Sequence, residues 1–190
     1  MHGLEDVRLE YAGSGLAVYC NECDFTYLVP GVTSANWDGA TGQGDGAGWV
    51  KEDVDGDGQT EVLVYTTDHR VVSLKIVGGT PVTSSFDLKT LVDDFNQNSD
   101  YRMDIDNKIM EVSYQGQTKQ AAMDDGFWSF ALNRGGGYAP EVWLTEYWAN
   151  RLTFGFRVYN ARGYSLGMSA LWGLAFDTSG GLQISSFNLW

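Results

Sequence analysis

The sequence predicts a mostly β protein with one helix, built from antiparallel hairpins and meanders as a single compact domain over residues 1–190; an α+β arrangement is the alternative. Glycine is abundant at 24 residues and proline scarce at 3. Short runs of Val, Ile, Tyr, Phe, Trp and Thr recur between Gly, Asn and Asp clusters, the pattern of strands joined by tight turns. A single stretch has helical spacing, and no segment repeats at a fixed period, so a full propeller or solenoid is not expected.

Taken in order, Leu16 to Cys20 and Phe25 to Val29 are short apolar runs separated by Asn21-Glu22, which predicts an opening hairpin. Residues 33–48, with Gly at 39, 42, 44, 46 and 48, are too glycine-rich for a strand and read as a loop. Glu61 to Thr66 and Arg70 to Val77 are strand-like, with Thr67-Asp68-His69 as the turn between them. Phe86, Leu88, Leu91, Val92 and Phe95 fall near helical spacing, and Ser85 or Asp87 can cap the first turn, predicting a helix over Phe86 to Asn96. Tyr101 to Ile105 and Lys108 to Tyr114 flank Asp106-Asn107 as a two-residue turn, and Gln115-Gly116 then turns toward Gln117 to Ala121. From Val142 to Trp190 aromatic and polar residues alternate. Leu152, Phe154, Phe156 and Val158 share one face, with Thr153, Gly155 and Arg157 between them, as in strands with one buried face.

Composition limits what such a chain can do. With 43% hydrophobic and 14% aromatic residues it has enough apolar surface to offset chain entropy, so a packed core is expected. A net charge of −13 repels phosphate backbones and anionic headgroups, which argues against a nucleic-acid partner. No apolar run approaches the length of a membrane span, so membrane insertion is not expected either. Residues 1–10 contain no apolar signal-peptide core, which fits a cytosolic protein or a mature exported domain.

The densest chemical signal is Asp53-Val54-Asp55-Gly56-Asp57-Gly58-Gln59-Thr60-Glu61. Calcium takes six to eight oxygen ligands, and a short loop supplies them when carboxylates alternate with residues that let the chain curl. Asp53, Asp55 and Asp57 stand at loop positions one, three and five, Gly58 permits a sharp turn, the Gln59 carbonyl follows, and Glu61 is at position nine. An EF-hand would carry glutamate at position twelve, which here is Val64 within a predicted strand. Three acids at alternate positions in one turn repel each other unless a cation intervenes. The bland reading is a solvated acidic turn, since Asp and Gly are common turn residues.

Asp53, Asp55, Asp57, Gly58 and Glu61, followed by the apolar Val62-Leu63-Val64, resemble the calcium loop of FG-GAP and VCBS-type repeats, the blade units of integrin α subunits and many bacterial surface proteins. The resemblance spans residues 49–77 in a single copy. It implies a calcium-binding loop and hairpin within a bacterial extracellular protein. Extracellular modules of this kind bind calcium with dissociation constants on the order of 10⁻⁴ to 10⁻³ M, which places the expected location outside the cell or on its surface.

Weaker signals remain open. Cys20 and Cys23 form a C-x-x-C that fits a small disulfide, a reduced pair, a redox couple or half of a zinc site, although a redox motif would sit in a βαβ context that is not visible. Of the tryptophans, Trp37 and Trp49 flank the glycine-rich loop and are the expected ligand-stacking residues, the rest being core. Asp124-Asp125, Glu141 and Glu146 are carboxylates of the glycosidase type, but pairing needs a distance in space and no catalytic role is assigned. Signatures of common hydrolases and nucleotide binders are absent. The expectation is a non-enzymatic, calcium-stabilised extracellular module that binds a glycan, cell-wall polymer or protein. A secreted hydrolase acting on polysaccharide or peptidoglycan and a structural module of a surface assembly are the alternatives.

Overall fold

The structure is a computed structural model and describes residues 4–13, 15–21, 24–30, 40–41, 48–66, 68–104, 106–122, 142–160 and 165–190. The chain divides into two compact units, one formed by Met1–Lys89, Trp148–Phe154 and Gly173–Ser185, the other by Thr90–Tyr147, Gly155–Trp172 and Ser186–Trp190. Among the described residues the fold is mostly β with one helix, and the sheets do not make a propeller.

In the first unit β1 (Arg8–Ala12), β2 (Gly15–Cys20) and β3 (Phe25–Pro30) form an antiparallel sheet in that order, the last two being the expected opening hairpin. A second antiparallel sheet runs β5 (Trp49–Glu52), β6 (Glu61–Tyr65), β7 (Arg70–Val77) and β8 (Thr80–Asp87). Strands β6 and β7 match the expected pair. Strand β8 was not anticipated, because Thr80 to Ser85 offers little apolar contrast; a tight turn through Gly78 and Gly79, both at positive φ, returns the chain beside β7. Pro81 is tolerated there because β8 is an edge strand.

Both faces of the central strands β6 and β7 are covered. On one face Val62, Val64, Val72, Leu74 and Ile76 pack with Leu16, Val18, Cys20 and Val29 and with Leu4 and Val7 of the N-terminal segment. Burying a side chain of this size stabilises by about 1.5 to 3 kcal/mol. On the other face Leu63, Tyr65, Val71, Ser73 and Lys75 are buried as well. The Tyr65 hydroxyl donates to the Arg151 carbonyl at 2.9 Å, and its ring meets Phe154 edge-on at 6.1 Å. The strands therefore read as near-continuous apolar runs, the mark of burial on both faces.

Helix α1 spans Lys89–Asn98. Its start corrects the expected Phe86, which lies in β8 opposite Val71, whereas the expected capping role of Asp87 is seen: its Oδ1 accepts the Lys89 N–H at 2.9 Å. In the second unit β9 (Asp100–Asp104), β10 (Ile109–Tyr114) and β11 (Gln117–Ala122) form the expected meander. Asp104 pairs with Ile109, which does not fit a two-residue Asp106-Asn107 turn, and Lys108 carries the positive φ. Gln115 and Gly116, both at positive φ, do make a two-residue hairpin turn.

The remaining sheet has the order β15 (Leu182–Leu189), β14 (Ser165–Phe176), β13 (Thr153–Asn160), β12 (Val142–Asn150), β4 (Ala40–Thr41). Strand β4 corrects the reading of residues 33–48 as wholly loop: Ala40 and Thr41, between glycines, pair in parallel with Trp148 and Ala149. Leu152, Phe154, Phe156 and Val158 are buried while Thr153 and Arg157 are exposed, as expected, although Gly155 between them is buried too. In the second unit Trp172 is fully buried in an aromatic cluster with Phe95, Tyr114, Phe156 and Phe187.

Candidate metal centre

The loop joining β5 to β6 curls because Gly56 and Gly58 take φ of 80° and 84°, a region that L side chains resist. Each aspartate then folds back on the chain. Asp53 accepts the Gly56 N–H on Oδ1 at 2.7 Å and the Gly58 N–H on Oδ2 at 2.9 Å. Asp55 Oδ1 accepts the Asp57 N–H at 3.3 Å, and Asp57 Oδ1 accepts the Gln59 N–H at 2.8 Å. Glu61, the first residue of β6, is fully buried and accepts the Val54 N–H on Oε2 at 3.0 Å.

Asp53, Asp55 and Glu61 each offer a carboxylate oxygen, and these lie within 4.8 Å of one another. Three of the expected ligands thus converge. Asp57 instead faces Lys75, a residue absent from the expected set. The Lys75 ammonium donates to Asp55 Oδ2 at 2.7 Å, Asp57 Oδ2 at 2.7 Å and Glu61 Oε1 at 3.0 Å, and lies 4.9 Å from the centroid of the Phe176 ring. Both oxygens of Asp53, Asp55, Asp57 and Glu61 therefore have a donor, and the repulsion expected among the acids is relieved by a cation of the chain itself. Gln59 is half-buried, and its side-chain Oε1 is buried without a partner.

The electrostatics follow from this packing. Burial pushes the Glu61 carboxyl up, against the downward pull of the Val54 N–H and of Lys75. The Lys75 hydrogen bond holds the Asp57 carboxyl below the usual carboxylate range. Burial alone would lower the lysine, but hydrogen bonds to Asp55, Asp57 and Glu61 outweigh it and hold the ammonium above its ordinary value. Chemically, the loop is a hard-oxygen cradle suited to a hard cation, whether an ammonium or a divalent ion.

Neighbouring contacts fix the cradle. The Lys51 ammonium donates to the carbonyls of Glu5 and Val7, and the Leu4 N–H donates to the Thr60 carbonyl at 3.1 Å, so the N-terminal segment is fastened to both ends of the loop. Arg151 grips Glu52 with two parallel bonds of 2.7 and 3.0 Å.

Trp49 lies on β5 opposite Val64, half-buried against the core, and Trp37 falls outside the described residues. Asp124, Asp125 and Glu141 also fall outside them, and Glu146 belongs to β12. Cys20 is disulfide-bonded and buried, while Cys23 is outside the described residues. Among the described residues no helix is long and apolar enough to cross a membrane. Comparison with known proteins finds no family model, no curated protein and no solved structure that matches this chain.

Proposed function

We propose that the chain is a calcium-stabilised extracellular module that works by binding a glycan, cell-wall polymer or protein rather than by turnover. The observation that carries the calcium reading is the convergence of Asp53, Asp55 and Glu61 oxygens within 4.8 Å in a loop curled by two positive-φ glycines. Gln59 and Asp57 are the further ligands in this reading, the former through its backbone carbonyl. The exported location draws support from the disulfide at Cys20, since such bonds persist in oxidising compartments, and from the millimolar calcium that weak loops of this kind need. The resemblance to FG-GAP and VCBS-type loops supports the same location.

Calcium that binds only the folded loop stabilises it by RT ln(1 + [L]/Kd), about 2.7 kcal/mol at a hundredfold excess over Kd. Thermal unfolding should therefore shift upward between chelator and millimolar calcium. An unchanged midpoint would reduce the loop to an acidic turn closed by Lys75. Steady release of reducing ends from a polysaccharide would replace the binding role with hydrolysis.

A further inference from the structure

We infer that Lys75 is the built-in cation of the acid loop and that its ammonium and a calcium ion are alternative occupants of it, so that the lysine sets how strongly the loop holds metal. The inference rests on the calcium reading above and concerns how that site is regulated.

An ammonium has three hydrogens, and here each has a carboxylate: Asp55, Asp57 and Glu61 at 2.7, 2.7 and 3.0 Å. The carboxylate oxygens that converge within 4.8 Å of one another are those of Asp53, Asp55 and Glu61. Two carboxylates, those of Asp55 and Glu61, belong to both sets. A calcium ion bonded to them at about 2.3 to 2.6 Å would stand against an ammonium held by the same carboxylates, and like charges so close repel strongly. The Lys75 side chain is only 9% exposed, so water and salt screen that repulsion little.

The lysine backbone cannot withdraw to make room. Lys75 pairs with Val82 of β8, and its neighbours Leu74 and Ile76 are buried in the aliphatic core. Only its side chain can leave, by changing rotamer and giving up three charged hydrogen bonds and its place over the Phe176 ring. The backbone bonds that shape the loop do not involve Lys75 and can persist with either cation, because a carboxylate oxygen has more than one lone pair. The loop thus stays shaped with either cation, and what weakens its hold on metal is the ammonium that the metal must displace.

Calcium chloride titrated calorimetrically into the chelator-treated chain, Lys75→Met and Lys89→Met tests this. Lys89 is exposed on α1 and controls for the loss of one positive charge. Lys75→Met should bind calcium about tenfold or more tighter than the unmutated chain, the scale of a direct coupling, whereas Lys89→Met should differ by about a factor of two at most. A lysine that merely supported the loop would weaken binding when removed. Equal or weaker binding by Lys75→Met, with the unmutated chain binding, overturns the inference and leaves the calcium reading standing. Binding by neither protein overturns both. Should Lys75→Met fold only with calcium, the dependence itself supports the exchange of cations. Should it not fold at all, Asp57→Asn is compared with Lys75→Met/Asp57→Asn, where the same gain is expected and equal affinities overturn the inference.

Discussion

Two loops of the first unit use the same turn chemistry to different ends. At Asp177 one carboxylate oxygen accepts the N–H groups of Ser179 and Gly181 and the Ser179 hydroxyl, with Gly180 at a φ of 85°. At Asp53 a carboxylate likewise accepts two backbone N–H groups, with Gly56 and Gly58 at positive φ. The first loop is complete with a single exposed charge. The second concentrates Asp53, Asp55, Asp57 and Glu61 and buries the last of them, so it needs a cation and has Lys75 within reach. Curled Asp-Gly backbone is thus no signature of a metal; the accumulation of carboxylates around a buried one is what distinguishes the two.

The contrast can be broken most severely at Glu61. Glu61→Leu should destabilise the chain by about 3 kcal/mol in chelator, the scale for removing one partner of a buried ion pair, as read by denaturant unfolding. A loss no larger than that of an exposed substitution would mean that the buried pair with Lys75 contributes little. A smaller effect separates the glycines. Gly180→Ala adds a methyl 2.9 Å from Val77 Cγ2 on top of backbone strain, whereas at Gly58 the same methyl meets nothing within 4 Å. Gly180→Ala should therefore cost about 2 kcal/mol or more and Gly58→Ala about 1. Equal losses would show that strain alone governs both loops.

The smallest effect is expected from acid. Hydrogen bonds from Ser179 and Gly181 hold the Asp177 carboxyl below its usual value of 3.8. A carboxyl depressed in the folded state contributes stability that is fully present above the unfolded pKa and is lost as pH falls through the folded one. Asp177→Asn keeps an oxygen acceptor without the charge. Its stability curve should match the unmutated chain in shape above about pH 5 and fall less steeply below about pH 4. Identical slopes under acid would exclude Asp177 as a contributor.

How much of this was legible in the sequence follows from how local each cause is. The hairpin of β2 and β3, the β9 to β11 meander and the alternation around Phe154 depend on neighbours along the chain, and turn residues announce them. The start of α1 was misplaced because Phe86 continues the helical spacing of Leu88 and Leu91 while pairing with Val71 across a sheet. The acid loop was legible in its carboxylates but not in its counter-charge. Lys75 lies fourteen residues beyond Glu61, and the two meet only through the register that pairs Tyr65 with Val71 and Val62 with Leu74. A signal did exist: reflecting the predicted hairpin about Asp68 sets Lys75 opposite Glu61, a cation inside one apolar strand facing the one acid of the other.

That register has a consequence of its own. In β7 the aliphatic Leu74 and the charged Lys75 are adjacent and point to opposite faces, both buried. Sliding β7 by one residue against β6 would turn the ammonium into the aliphatic face and bring Leu74 among the carboxylates. Most strands that are apolar on both faces have little to tell one alignment from the next. Here a single charge makes the one-residue slip expensive, so Lys75 also acts as an alignment mark for β7 against β6.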